Sequence, residues 1–515
     1  MRTSIGSLIL YQVNRLYPAC LACPARKFVR AAVTKVRVRR CLHGIGGSTV
    51  NRQDVAICGD GAASVALFRA LARNAREPLA VTILGPGSHF ARGIAYATRD
   101  PAHVLNVPAE KMSADAGEPD QFVDWLRERH IGMPDGSQGF VRRELYGQYL
   151  CDLVERTRLQ FRDKIDLTVT TAEVVGLARQ RAGWTVFHAD GVLPARNVVL
   201  ATGHGPPQPL AAQLGEDLAH AVIDDPWAPW TVEATARILI VGTGLTAVDT
   251  ALSLLERGHR GKIVLLSRHG RLPQAHVRHG GGTPLPAPFP ARASVLIRSL
   301  RSAVRRDAPA EGWQAFIDAM RPHWHDAWSA LGEADKRRAL RHGLAFFNAH
   351  RHRVAPRQGS QMANAIAEGR VEVLRGRLVE LSPACNSVRA RVETRSGRHD
   401  LAFGRVVNCS GPNADAERGP GTLLKTLIAR GLARPGAAGL GIDVDDEDRV
   451  LDQDGAVQPG LFAMGALTRG KWWEITAMPE IAQQARRIAQ SASARQGISA
   501  WALSANAAGR ILPVP

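Results

Sequence analysis

The chain has 515 residues, of which 45% are hydrophobic and 22% are charged, and its formal net charge is +19. This length and composition are typical of a globular protein of two or three domains and exclude a fibrous or wholly disordered chain. No run of about 18 or more apolar residues occurs, so neither a membrane-spanning helix nor a membrane partner is expected.

The positive charge is concentrated at the N-terminus. Residues 1–50 contain nine Lys and Arg residues and no Asp or Glu, so the rest of the chain carries only +10. No nucleic-acid-binding motif accompanies this charge, so we expect no nucleic-acid partner; a basic surface that attracts anionic cofactors explains the charge equally well. Residues 1–52 are interpreted as a basic, disordered extension, either a transit peptide or a segment upstream of the native start.

Seven cysteines are scattered along the chain, and the single C-x-x-C motif, from Cys20 to Cys23, has no second pair at metal-ligand spacing. We therefore predict reduced thiols, a cytoplasmic location and no metal site.

A dinucleotide-binding signature opens the first predicted domain, residues 53–235. The strand VAIC (55–58) leads into a glycine-rich turn and a helix, and a second strand, LAVTIL (79–84), follows. Such a turn needs small residues where the backbone meets a pyrophosphate and where the helix packs on the strand, and the helix N-terminus binds the anion. The small residues here are Gly59, Gly61 and Ser64.

A second signature opens the next predicted domain, residues 236–413. The apolar strand ARILIV (236–241) precedes the turn, the helix closes at Gly258, and the strand KIVLLS (262–267) follows. The corresponding small residues are Gly242, Gly244 and Ala247. Two complete signatures in one chain indicate two dinucleotides that face each other, as in a flavin enzyme supplied by a nicotinamide.

The two signatures differ where their second strands end. In the first, Gly85-Pro86-Gly87 stands in place of the acid that usually holds the adenosine ribose, so another group would have to bind it. In the second, Arg268 suits the 2′-phosphate of NADP better than the 2′-hydroxyl of NAD. The alternative is that Arg268 and Arg271 belong to a solvated loop.

The second domain contains a predicted helical insert, residues about 290–350. Residues 414–490 are expected to return and complete the first domain with a strand, LFAMGAL (461–467), and a helix (478–490). Residues 491–515 are expected to form a frayed tail. The predicted fold class is α/β, with two Rossmann-like dinucleotide-binding domains and a helical insert.

The segment WWEITAMPEI (472–481) is the candidate for a catalytic role. Thr476 is predicted to cap the final helix, whose N-terminus would stabilise negative charge on the flavin. Trp473 and Glu474 would then lie at the flavin edge; the alternative is a core aromatic pair with a surface glutamate. The run His350-Arg351-His352-Arg353 is interpreted as structural ion pairing or as a basic patch that meets an anionic substrate or NADP.

Several segments resemble a family of bacterial FAD/NAD(P)-binding proteins that includes FAD-dependent urate hydroxylase and the aspartate N-monooxygenase that forms nitrosuccinate. The matching segments are ARGIAYAT (91–98), HVLNVPAEKMS (103–113), FVDWL (122–126), FVRRELYGQYL (140–150), ATGHGPP (201–207), GTGLTAVD (242–249), SRHGRLPQAH (267–276), HRHRVAP (350–356), VVNCSGP (406–412) and RGKWWEITAMPEI (469–481). The resemblance covers residues 53–490 and does not specify the substrate.

This resemblance implies FAD at the first turn and a nicotinamide dinucleotide at the second, for which Arg268 favours NADP. It places Gly93, Asn106, Val107 and Pro108 along the flavin, with Arg142 and Tyr149 close by. Thr202, Gly203 and Gly465 are further candidates for binding FAD. Asn106 is equally suited to stabilising a turn, and Arg142 and Arg143 to salt bridges on a helix. Many such flavoproteins have Gly-Asp where this chain has Gly465-Ala466, and the Asp holds the ribityl chain.

The predicted function is an FAD-dependent, NAD(P)H-using oxidoreductase, specifically a monooxygenase that hydroxylates a small polar metabolite through a flavin hydroperoxide. One alternative is a flavin reductase or dehydrogenase without oxygen insertion. Another is a non-catalytic FAD- or nucleotide-binding redox sensor, which the missing acids at the first site would permit.

Overall fold

This computed structural model describes residues 53–493 apart from 133–138, 206, 211–217, 219–220, 308–311, 386, 414 and 417–421. The predictions for residues 1–52 and for the tail beyond residue 493 lie outside the described residues. Helices and strands are numbered in chain order over the described part.

The first sheet combines a parallel core with antiparallel edges. Its strands are β1 (Gln53–Cys58), β2 (Leu79–Gly85), β3 (Ile165–Thr171), β4 (Val174–Gln180), β5 (Gly183–His188), β6 (Gly191–Leu200), β15 (Arg449–Leu451) and β16 (Val457–Ala463). Five strands run parallel in the order β16-β6-β1-β2-β3. β15 pairs antiparallel with β16, and β4 and β5 extend β6 in the same way.

Helices cover this sheet because its central strands are apolar on both faces. They are α1 (Ala62–Asn74), α2 (Gly93–Tyr96), α3 (Gln121–Glu128), α4 (Arg143–Gln160), α11 (Thr422–Ala429) and α12 (Met478–Ser493). Val55 and Ile57 of β1 pack in one core with α1, α4 and α12. Ala56 and Cys58, which point the other way, pack in a second core with β4, β5 and α11.

The second sheet is entirely parallel. Its strands are β7 (Val222–Ile223), β8 (Ile238–Val241), β9 (Ile263–Ser267), β10 (Val371–Arg375) and β14 (Arg405–Asn408), in the order β10-β9-β8-β14-β7. Helices α5 (Leu245–Glu256) and α10 (Pro356–Ala367) pack on one face. An antiparallel sheet of β11 (Arg377–Ala384), β12 (Ser387–Thr394) and β13 (Gly397–Phe403) packs on the other.

The region of the predicted insert is helical: α6 (Ala293–Asp307), α7 (Trp313–Ala319), α8 (Trp324–Ser329) and α9 (Glu333–Arg351). These helices share a core rich in aromatic side chains, and Trp473 joins it from the segment that follows β16. The insert therefore contacts the segment that precedes the last helix of the first sheet.

The predicted α/β class with two doubly wound units is confirmed. In both signatures the two strands pair in parallel and flank the helix between them. The strand predicted over residues 461–467 is wrong in its second half, because β16 ends at Ala463 and Gly465, at a φ of +66°, begins a 3₁₀ turn. Among the described helices, none is both long and apolar enough to cross a membrane.

Candidate functional site

The first glycine-rich turn connects β1 to α1 at the carboxyl end of the sheet. Gly59 has a φ of +124°, and its N–H donates to the carbonyl oxygen of Leu84 at 2.7 Å. A Cβ at Gly59 would lie well inside 3.0 Å of the Ala201 carbonyl, at the end of β6. Glycine is therefore required here by the backbone conformation and by the close approach of the neighbouring chain.

The second turn, between β8 and α5, repeats this geometry. Gly242 has a φ of +129°, and its N–H donates to the carbonyl oxygen of Leu266 at 2.7 Å. A Cβ at Gly242 would overlap the carbonyl of Cys409, which follows β14. Ala201 and Cys409 thus hold equivalent positions beside the two turns.

The second glycine of each turn, unlike the first, is not required by its backbone conformation or by a close approach of the neighbouring chain. Gly244 has an ordinary φ of −79°, and a Cβ added to it would meet no heavy atom of the described residues within 4 Å. A Cβ at Gly61 would meet only the Cα of Gly93 at 3.5 Å and its N at 3.9 Å. Both glycines cap a helix without a side-chain hydrogen bond. Each turn therefore leaves an open cradle at a helix N-terminus, which fits an anionic pyrophosphate.

The third small residue of each signature packs inward. Ser64 is buried, and its hydroxyl donates to the Gly59 carbonyl at 2.7 Å, which ties the helix to the turn. Ala247 is fully buried between α5 and the second sheet. These two residues let helix and strand approach each other and do not face the cradles.

Charged side chains of opposite sign lie at the ends of the second strands of the two signatures, β9 and β2. After β9, Arg268 is exposed and forms no ion pair with a described acidic residue, while the Arg271 guanidinium lies 3.7 Å from the centre of the Phe346 ring. After β2, the Asp60 side chain reaches across from the first turn, and its Oδ2 accepts the N–H of Gly87 at 2.8 Å. An acid therefore stands beside the end of β2, although it does not belong to that strand.

The segment that precedes α12 holds a buried ion pair. Glu474 is 9% exposed and binds the guanidinium of Arg351, at 2.8 Å from Nε and 2.6 Å from a terminal nitrogen. Burial raises the pKa of Glu474, an effect that Arg351 opposes. The alternative of a surface glutamate is therefore wrong, and so is the interpretation of Arg351 as part of an open basic patch.

The two tryptophans of this segment face different partners. Trp473 stacks on Trp328 of α8 at 4.5 Å and meets Phe347 of α9 edge-on at 5.4 Å. Trp472 donates from its ring N–H to the buried carboxylate of Asp448 at 2.7 Å. The capping role predicted for Thr476 is wrong, because α12 begins at Met478 and Ala477 directly precedes it.

Sequence and structure comparisons agree on the type of fold. Residues 56–205 match the model of an FAD-NAD(P)-binding family, and the search of curated proteins finds no match. The solved structures that resemble this one include the ornithine N-hydroxylase of Kutzneria sp. 744, with reduced FAD, NADP⁺ and L-ornithine (16% identity, TM-score 0.58, covering 87% of this chain and 100% of the other). Others are the ornithine hydroxylase of Pseudomonas aeruginosa (16%, 0.59, 86% and 99%) and the L-lysine 6-monooxygenase of Pseudomonas syringae (18%, 0.58, 86% and 99%). The fold is that of a two-domain flavoprotein.

Within this flavoprotein fold, four of the candidate FAD-binding residues lie beside the first turn or just after strands of the first sheet. Gly93, at a φ of +58°, packs against Gly61, and Gly203 and Gly465 leave open space where a side chain would stand. Thr202 is exposed beside Gly203. This arrangement leaves room along the carboxyl edge of the sheet.

The other candidate residues near FAD differ in how far they are buried. Asn106 and Val107 are half-buried, and the Asn106 carbonyl accepts a hydrogen bond from His276 at 3.1 Å. Arg142 is exposed and lies 3.9 Å from Glu144. Tyr149 is buried among aromatic rings, and its hydroxyl donates to Gln121 at 2.6 Å; its place close to the flavin stays a prediction.

Sequence reasoning missed a cationic group beside Trp473. The Arg469 guanidinium lies 4.7 Å from the centre of the Trp473 ring, and its buried Nε has no hydrogen-bond partner among the described residues. Exposed His204 and half-buried His352 lie near it: partial loss of hydration and then the charge of Arg469 lower the pKa of His204, and loss of hydration and then the charges of Arg351 and Arg469 lower the pKa of His352 to about 3. Both rings are therefore neutral near pH 7 beside a cation that forms no ion pair within the described part of the chain. The only sequence signal was Arg469 at the start of RGKWWE, which resembles the family without indicating its charge environment.

Proposed function

We propose that this protein is an FAD-dependent, NADPH-using monooxygenase that hydroxylates a small, polar, anionic metabolite. The observation that carries the proposal is the pair of equivalent turns, each with an open cradle at a helix N-terminus. Gly244 supports it most directly, since neither its φ nor the packing of the described residues requires glycine there.

The choice of cofactors is supported by what surrounds each cradle. Arg268, exposed and without an ion pair to a described acid, suits a 2′-phosphate at the second turn, which favours NADPH there. FAD is then the dinucleotide for the first turn, beside Gly93 and Gly203. Bound FAD would supply hydride acceptance and oxygen activation.

The proposal that the substrate is anionic is supported by the surroundings of Arg469. The half-buried Arg469 guanidinium forms no ion pair with any described residue, which is costly, and an anionic group on the substrate would offset that cost. Because their rings are neutral, His204 and His352 can hydrogen-bond to the same anionic group without adding positive charge beside the Arg469 guanidinium. Hydroxylation of a small metabolite is consistent with the fold shared with ornithine and lysine hydroxylases, and an anionic substrate with the resemblance to urate hydroxylase and aspartate N-monooxygenase.

In this proposal the protein binds the two cofactors, orients the substrate and excludes water from the site. The N-termini of α1 and α5 hold the pyrophosphates, and Arg469 orients the substrate by its charge. Trp473, packed against Trp328 and Phe347, would exclude water from the side of the site next to Arg469. Such a closed site limits the loss of activated oxygen as peroxide.

The test is NADPH oxidation in air by the full-length protein loaded with FAD, with aspartate and urate as anionic probes and lysine as a cationic one. An anionic probe that accelerates NADPH oxidation and yields hydroxylated product with little hydrogen peroxide supports the proposal. Complete recovery of the consumed oxygen as peroxide with every probe would instead identify a flavin reductase. Failure of the protein to bind FAD would refute an FAD enzyme of either kind.

A further inference from the structure

The end of β2 lacks the acid that usually binds an adenosine ribose, yet a carboxylate occupies the same place. A Cβ added at Gly85, the last residue of β2, would lie well inside 3.0 Å of the Asp60 carboxyl group. Glycine at position 85 therefore makes room for the Asp60 side chain. The acid missing from the second strand is supplied by the turn between β1 and α1.

The backbone holds this carboxylate in a fixed position. Its Oδ2 accepts the N–H of Gly87 at 2.8 Å, and the main-chain carbonyl of Asp60 accepts the N–H of Ala91 at 2.7 Å. Among the described residues, Oδ1 has no hydrogen-bond partner and the carboxylate forms no ion pair. Asp60 is half-buried, so this oxygen can accept a hydrogen bond from a ligand in the cradle.

We propose that Asp60 binds the adenosine ribose of the dinucleotide at the first turn and selects one with a free 2′-hydroxyl. This inference rests on the proposed function, because it takes FAD as the occupant. A carboxylate accepts a hydrogen bond from a 2′-hydroxyl and repels a 2′-phosphate, whereas Arg268 at the second site has the opposite preference. The two side chains thus distribute FAD and NADPH between two turns whose backbones are alike.

A purely structural role for Asp60 can be separated from this one, because the chain offers a matched control. At the other end of the same two strands, Oδ2 of Asp54 accepts the N–H of Ala80 at 3.0 Å. Asp54→Asn therefore alters the same kind of bridge between β1 and β2 without touching the cradle.

The experiment titrates FAD-stripped, full-length protein with FAD and with an FAD analogue that lacks the 2′-hydroxyl of its adenosine ribose. Flavin fluorescence reports binding to the unmodified protein and to the Asp60→Ala, Asp60→Asn and Asp54→Asn variants. The unmodified protein and Asp54→Asn are expected to favour FAD over the analogue on the order of tenfold, as one charge-assisted hydrogen bond implies. Asp60→Ala is expected to bind the two flavins equally, and Asp60→Asn, which keeps an acceptor for Gly87, to lose most of the preference.

Each other outcome has a defined meaning. An undiminished preference for FAD in both Asp60 variants, or no preference in the unmodified protein, overturns the assignment of Asp60 and leaves the proposed function intact. An equal loss of affinity for both flavins in Asp60→Asn, with the preference retained, also overturns it, because Asp60 would then only brace the strands. If the unmodified protein binds neither flavin, the inference and the proposed function both fail.

Discussion

Substitution by alanine is predicted to have different effects at the two glycines of the second turn. Gly242→Ala should lower the free energy of unfolding, whereas Gly244→Ala should raise the KM for NADPH. Gly242→Ala places a Cβ within the carbonyl of Cys409 and forces alanine to a φ of +129°. The backbone conformation alone costs about 1–3 kcal/mol. Relief of the overlap requires the turn or the end of β14 to move, which adds about 1–3 kcal/mol. The expected loss in the free energy of unfolding is therefore on the order of 3 kcal/mol or more.

Gly244→Ala adds the same methyl group to open space at a φ of −79°. Its expected cost in stability is at most about 1 kcal/mol, the difference between glycine and alanine as an N-cap residue. The new methyl group would, however, stand in the cradle at the N-terminus of α5. We expect the KM for NADPH to rise at least about tenfold, since a lost backbone contact to the pyrophosphate is equivalent to about 1.4 kcal/mol or more.

Urea unfolding followed by tryptophan fluorescence, without added dinucleotide, measures the first effect, and steady-state NADPH oxidation measures the second. Gly343→Ala, within α9 and 3.6 Å from the end of a flexible Ile297 side chain, is a control for the addition of a methyl group elsewhere. A Gly244→Ala protein with an unchanged KM for NADPH would show that the cradle does not hold the pyrophosphate. A Gly242→Ala protein as stable as the unmodified one would contradict the steric reasoning itself.

Four further predictions concern the charged groups. Arg268→Ala should raise the KM for NADPH at least about tenfold and leave the KM for NADH unchanged, because only NADPH has a 2′-phosphate; equal changes in steady-state assays would count against this role. Glu474→Ala should lower the free energy of unfolding in urea by about 3 kcal/mol by leaving Arg351 buried without its partner, whereas a loss within about 0.5 kcal/mol would mean that water replaces the carboxylate. Arg469→Ala should abolish the acceleration of NADPH oxidation by anionic probes, and Lys471→Ala, which removes a half-buried cation that pairs with Asp446 in the same segment, should retain it; loss in both variants would indicate a general charge effect. Because the pKa of His352 is depressed to about 3 in the folded chain, its contribution to stability is present above its ordinary value of 6.5 and is lost as the pH falls toward 3. Urea unfolding of His352→Gln should therefore show a smaller decline in stability over that pH range, and an identical decline would exclude His352 as a source.

The sequence allowed prediction of features whose causes are local. A glycine-rich turn between an apolar strand and a helix is encoded within about twenty residues, so both units could be located, along with the positions of Ser64 and Ala247. The charge after β9 was equally accessible, since Arg268 directly follows its strand.

Features that depend on contacts between distant segments could not be predicted in this way. Asp60 lies beside Gly85 only because β1 and β2 pair in a particular register, and Glu474 meets Arg351 across 123 positions in the chain. The family resemblance implies that Tyr149 lies close to the flavin, and it could not show that the side chain points from α4 into the core. Side-chain direction within a helix decides such cases, and a motif does not specify it.

Contacts of the helical insert also limit which fragments of this protein can fold without exposing apolar surface. Trp328 of α8 donates its ring N–H to the carbonyl of Gly470 at 2.8 Å and stacks on Trp473, and Arg321 pairs with Glu480 of α12 at 2.6 Å. A fragment that ends before residue 414 would keep α6–α9 but lose every one of these partners, leaving an aromatic face open to water. The two nucleotide-binding units are therefore not interchangeable modules. A chimera that exchanges the second unit for that of another flavoprotein must take the insert and the 469–481 segment from the same protein.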